Sequence, residues 1–203
     1  MEEKNAVVET ILNRRSVRNY KDDPIPKEFL HTVLKCGLYA PSGKNCQFSR
    51  FIVFQNKDVL KVLNQMVGEE LAAAAADPGT PIGFGAARAR EGKGYPFFNR
   101  VPALVIVVSK RDYATSMANS ACALMNMQIA AEALGLASCW RNQLRWLKDS
   151  PKIRSFLRQY GMNEDEEVFG SLQLGYSAER NDVLRSPRKP GRVVFDDGRE
   201  WVE

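Results

Sequence analysis

Apolar positions recur at helical spacing near the start of the chain, where Val7, Val8, Ile11 and Leu12 predict a first helix ending near Arg14. After the turn-rich Lys21 to Pro26, a stripe of Phe29, Leu30, Val33, Leu34 and Leu38 predicts a second helix, with Pro26 suited to its first position. Pro41-Ser42-Gly43-Lys44-Asn45 breaks that helix. Phe51 to Phe54 is a short apolar run between polar residues, the pattern of a buried strand, and Ala103 to Ser109 repeats it at greater length. Between the two strands, residues 57–76 read as helix. Residues 77–94 are rich in Gly, Pro and small side chains and read as a mobile loop or lid. Asn119 to Leu136 is apolar on most sides, which calls for a helix at the centre of the molecule. Asp149-Ser150-Pro151 opens a further helix over 152–160, and Val168 to Leu174 reads as a strand. Beyond Gly175 the chain turns polar and Pro-rich. Val193, Val194, Phe195 and Trp201 then restore apolar character, in a tail that needs a surface to cover.

Few strands and many helices, irregularly interleaved, fit an α+β layer structure better than a doubly wound parallel sheet. No G-x-G-x-x-G follows any strand. The 203 residues suit one domain, large enough to bury a core without disulfides or metal. With 44% hydrophobic and 26% charged residues, collagen, coiled coil and wholesale disorder are excluded. Cys36, Cys46, Cys122 and Cys139 form no C-x-x-C, and His31 is the single histidine, so no metal site is expected. The opening Met1 to Asn5 is polar and no run is long enough to span a membrane. A cytoplasmic protein with reduced cysteines is therefore expected. The net charge of +5 is compatible with an anionic ligand and far from a nucleic-acid-packaging composition.

Four segments carry candidate chemistry. Arg14, Arg15 and Arg18, with Ser16 among them, offer planar forks and a hydroxyl suited to a phosphate; they also suit a solvated helix end. In Ala40 to Gln47, a Pro-Ser-Gly turn can present backbone N–H groups. Asn45 and Gln47 each add a donor and an acceptor, enough to read a heteroaromatic edge, or else to make an ordinary turn. Leu134 to Gln143 ends the apolar helix in a small-residue turn where backbone can approach a flat ligand. There Trp140 also reads as a core aromatic, and Cys139 as a small buried hydrophobe. Arg185 to Pro190 is either a late cationic contact or a linker. No G-x-S-x-G and no Ser-His-Asp set is present, which excludes acyl-transfer hydrolysis of the usual kind.

Taken together and in order, these segments resemble the nitroreductase family of FMN-dependent oxidoreductases. Arg14-Arg15-Ser16-Val17-Arg18-Asn19-Tyr20 is similar to its R-R-S-x-R-x-[FY] motif, and Ala40 to Gln47 to its A-P-S-x-x-N-x-Q turn. Asn126 to Trp140 resembles its central helix and G-L-G-x-C-W turn. Leu174-Gly175-Tyr176 and Pro187-Arg188-Lys189 resemble its closing elements.

The resemblance implies a central mixed or antiparallel sheet flanked by helices, in an intertwined homodimer that exchanges a C-terminal arm. Residues 1–180 would form the FMN-binding domain, with 77–99 a variable loop or lid, and 181–203 the arm. It implies that Arg14, Ser16 and Arg18 bind the FMN phosphate, with Arg15 nearby and Arg188 completing the site. Pro41, Ser42, Asn45 and Gln47 would line the isoalloxazine and ribityl chain, and Trp140, Arg141, Asn142 and Gln143 would approach the ring. Phe97 or Phe98 would cap the acceptor pocket. The implied reaction is ping-pong reduction of nitroaromatics, quinones or related acceptors by NADH or NADPH. No side-chain acid or base is required, and neither nucleic acid nor membrane is a partner. Where many members have W-I-G, this chain has Trp140-Arg141-Asn142, which bears on the ring's surroundings. The alternatives are a non-catalytic FMN-binding module and a member with different flavin chemistry, such as reductive dehalogenation.

Overall fold

The computed structural model describes residues 5–92, 95–98, 100–178, 189 and 191–197. Its frame is a four-stranded sheet in the order β1 (Arg50–Phe54), β2 (Ala103–Lys110), β4 (Glu166–Gly175) and β3 (Ala137–Arg141), each neighbour antiparallel. The α+β class expected from the sequence is the one observed.

β2 explains why its sequence lacks alternation. Ala103, Val105 and Val107 face one apolar layer, while Leu104, Ile106 and Val108 face another, and all six are fully buried. The first layer is closed by α2 (Lys27–Leu38) through Leu30 and Val33, and by α5 (Ser116–Ala133) through Leu124, Met127 and Ala131. Opposite lie α3 (Lys57–Ala73), with Leu60, Leu63 and Val67, and α7 (Pro151–Gln159), with Ile153 and Leu157. Helix ends follow from local chemistry. Asn56 Oδ1 accepts the Asp58 and Val59 amides at the start of α3, and Ser150 Oγ accepts that of Ile153 before α7. α1 (Ala6–Asn13) packs on α5 and leaves Val7, Val8, Ile11 and Leu12 exposed.

Two expectations are corrected. Residues 77–94 are not a loop throughout: α4 (Pro81–Arg90) starts at Thr80, whose Oγ1 accepts the Gly83 amide at 3.2 Å. Its glycines sit at close contacts. A Cβ on Gly83 would fall 1.9 Å from Asp77 O, and one on Gly85 would meet Trp146 at 3.3 Å. The stretch after α5, expected as a turn, forms β3 and then α6 (Gln143–Trp146).

Candidate cofactor site

At Arg14 the helical dihedrals of α1 end, and the chain runs extended along the free edge of β3. Ser16 pairs in parallel with Ser138, and the Val17 amide donates to Ser138 O at 3.0 Å. Farther on, Tyr20 pairs with Ser177, and the Lys21 amide donates to Tyr176 O at 2.9 Å. This segment thus adds one parallel and one antiparallel bridge outside the four strands. Arg14 and Arg18 are four residues apart, about 13 Å in an extended chain.

Arg15 is the exception in that cluster. Its Nη1 donates to Leu12 O at 2.8 Å and Arg14 O at 2.7 Å, capping the end of α1. Arg14 reaches inward, where its Nη1 donates to Gln128 Oε1 on α5 at 3.4 Å. Ser16 and Arg18 are exposed. Glu132, one turn beyond Gln128, is partly buried. That burial raises its carboxyl above the ordinary carboxylate range, against the opposing pull of Arg14 and Arg15.

The turn after α2 is strained. Lys44, Asn45 and Gln47 all take left-handed dihedrals, at φ 54°, 52° and 49°, unfavourable for side chains with a Cβ. The surrounding bonds hold it there. Gly43 N donates to Asn119 Oδ1 at 3.0 Å, Gln47 N to Ser42 Oγ at 3.1 Å, and Gln47 Nε2 to Asn45 Oδ1 at 3.1 Å. Asn119 in turn donates through Nδ2 to Thr115 Oγ1 at 3.1 Å and to Cys46 Sγ at 3.3 Å. A cavity of about 170 Å³ opens between this turn and α5, lined by Leu38, Pro41, Ser42, Gln47, Asn119 and Ala123.

At the far end of β3, Trp140 Nε1 donates to Asn142 Oδ1 at 2.8 Å, and Ser171 Oγ donates to Arg141 O at 3.1 Å. Trp140 fits because position 170 is glycine: a Cβ there would come within 2.8 Å of the indole nitrogen. Among the described residues, the buried side-chain nitrogen and oxygen atoms without a hydrogen-bond partner are Arg14 Nε, Arg141 Nε and Gln143 Oε1. All three lie in segments singled out from the sequence. Leaving such groups unpaired costs about 1–3 kcal/mol each, so the arrangement favours a ligand that answers them. Cationic donors at Arg14 suit a phosphate. A donor and an acceptor two residues apart at 141 and 143 suit a ring edge of alternating C=O and N–H.

The description "Nitroreductase family" belongs to the family model that matches residues 11–176. The chain belongs to the nitroreductase family. A crystal structure of a nitroreductase with bound FMN from Bacteroides fragilis NCTC 9343 is 34% identical, with a TM-score of 0.84, covering 95% of this chain and 99% of that one. The fold is also shared with a nitroreductase with bound FMN from Desulfitobacterium hafniense DCB-2, at 22% identity and a TM-score of 0.72, covering 99% and 100%. YdjA of Escherichia coli (strain K12), provisionally named an NAD(P)H nitroreductase, is 28% identical over 83% of this chain and 86% of its own length.

Within this nitroreductase chain, the basic segment and the strained turn are held at opposite ends of one helix. Asn119 and Gln128 are nine residues apart on α5, about 14 Å. The two phenylalanines expected to cap the acceptor pocket lie away from the strained turn. Phe97 and Phe98 are buried in the core with α3, Phe97 O accepting from Gln173 Nε2 at 2.6 Å and the Phe98 amide donating to Asn64 Oδ1 at 2.8 Å. Neither lines the cavity beside Ser42. Arg188 and Trp201 lie outside the described residues. Asn119 and Gln128 went unnoticed in the sequence, although an amide in an otherwise apolar helix is a signal. Among the described residues, no cluster of His, Cys, Asp and Glu could hold a metal ion, and no helix is long and apolar enough to cross a membrane.

Proposed function

We propose that the protein is an FMN-dependent oxidoreductase that draws electrons from NADH or NADPH and reduces nitroaromatics, quinones or related electrophiles. The observation that carries this reading is the set of unanswered buried polar atoms: Arg14 Nε inside the matched basic motif, and Arg141 Nε and Gln143 Oε1 directly after the matched G-L-G-x-C-W segment. When bound, FMN would supply the hydride transfer, accepting from the nicotinamide and donating to the electrophile. The protein's share is placement. Arg14, Ser16 and Arg18 hold the phosphate, with Arg188 as a further cation. Arg141 at the end of β3 and Gln143 at the start of α6 would orient the ring edge, with Trp140 holding Asn142 between them. Donor and acceptor use one opening in turn, so no dinucleotide-binding domain is needed.

The site is completed by a second copy of the chain. One subunit's basic segment meets the other's Pro41, Ser42, Asn45 and Gln47, since α5 keeps its own two sets apart. A homodimer would also cover the exposed face of α1, Tyr39, Val193 and Val194, which leave apolar surface open on the single chain. Sedimentation with flavin absorbance tests this reading. It requires a dimer carrying FMN, and a monomer that retains a full complement of FMN would overturn the shared site.

A further inference from the structure

Gln128 points from α5 toward the end of α1 and is 4% exposed, with Leu124 and Ala131 buried one turn to either side of it on the same helix. Burying an amide there is unfavourable unless hydrogen bonds answer it. Its Oε1 accepts from Arg14 Nη1 at 3.4 Å, and its Nε2 lies 4.0 Å from Met125 Sδ. Arg14 Nε remains without a partner, so the guanidinium is held on one side and unanswered on another. Glu132 stands one turn away on the same helix, a carboxylate whose charge burial disfavours.

We propose that Gln128 is a positioning residue for the cofactor's phosphate: it orients Arg14 through a neutral acceptor and so leaves the guanidinium its full charge for the anion. The proposal rests on the reading of residues 14–18 as the FMN phosphate site. The neutrality matters as much as the contact. A carboxylate at 128 would hold Arg14 at least as firmly, yet would pair its charge and repel the phosphate. A leucine would fill the apolar position and leave Arg14 unguided.

The test compares FMN with riboflavin, which lacks the phosphate, by flavin-fluorescence titration of the wild type, Gln128→Leu and Gln128→Glu. Both variants are expected to lose about ten-fold in FMN affinity, with riboflavin affinity changed by less than about two-fold. Gln128→Glu separates positioning from packing, because a purely structural contact survives that change. FMN affinity unaltered in Gln128→Glu would overturn the proposal, as would equal losses for the two flavins in either variant. A wild type with no preference for FMN over riboflavin would instead defeat the phosphate reading itself, a result visible before any variant is made.

Discussion

Asn119 Oδ1 accepts the Gly43 amide at 3.0 Å, and through that bond the first turn of α5 fixes the strained loop after α2. The same side chain donates to Thr115 and Cys46, so three contacts converge where Lys44, Asn45 and Gln47 hold left-handed dihedrals. Replacing Asn119 by alanine frees the loop and strands the Gly43 amide. Urea unfolding should show a loss of about 1–3 kcal/mol with an unchanged slope, and FMN should bind more weakly. An unaltered midpoint would mean that the loop holds its shape unaided.

Glycines in the two neighbouring helices α3 and α4 should respond in opposite senses. Gly68 sits inside α3 with no atom within 4 Å of an added Cβ, so Gly68→Ala should stabilise by about 0.5–1 kcal/mol. Gly83→Ala would drive a methyl into Asp77 O and should lower the melting temperature instead. Thermal melts of the two variants decide between a packed α4 and the mobile segment that composition suggests. Equal, small effects would favour the latter.

That contrast shows what composition hides. Apolar stripes made α2 and α5 legible, and the unbroken run of β2 announced a strand covered on both faces. The basic segment, the Pro-Ser-Gly turn and the stretch around Trp140 stand out as candidate site elements because their residue types are chemically unusual together. α4 was not, since Gly83 and Gly85 look like flexibility in one dimension and prove to be clearance for Asp77 and Trp146 in three. β3 was missed because Ser138, Trp140 and Arg141 dilute a five-residue strand, whose pairing with β4 supplies what local pattern lacks. Phe97 and Phe98 stand beside glycine-rich sequence, but their backbone bonds to Gln173 and Asn64 draw them into the core. Nothing local reports that α5 separates the basic segment from the strained turn.

Glu132 gives a pH signature. Burial raises its carboxyl above the ordinary value near 4.5, so the folded state binds its proton more tightly than the unfolded chain does. Its contribution to stability is thus fully present below that ordinary value and is lost as pH rises through the folded one. Glu132→Gln should raise the melting temperature at pH 7, and the gain should fade toward pH 4. A gain that grows on acidification would contradict the sign.

Glu167, the second residue of β4, is almost wholly buried, and it pairs with Arg145, with Lys148 at 3.0 Å and with Arg111 at 3.5 Å. Removing the carboxylate leaves partly buried cations facing one another. Glu167→Ala should cost about 3–5 kcal/mol in urea unfolding, far more than loss of the exposed Lys57–Asp22 pair. Comparable effects from Glu167→Ala and Asp22→Ala would show that the network contributes little.

The central claim is that this chain exchanges electrons between a reduced nicotinamide and an electrophile through FMN. The most direct measurement is anaerobic stopped-flow absorbance of the FMN-loaded protein mixed with NADH or NADPH, then with a nitroaromatic or quinone. The account predicts rapid bleaching of the flavin band by at least one nicotinamide, and its return when the acceptor is added. A yellow protein that neither nicotinamide bleaches, or a protein that does not retain FMN, would contradict it.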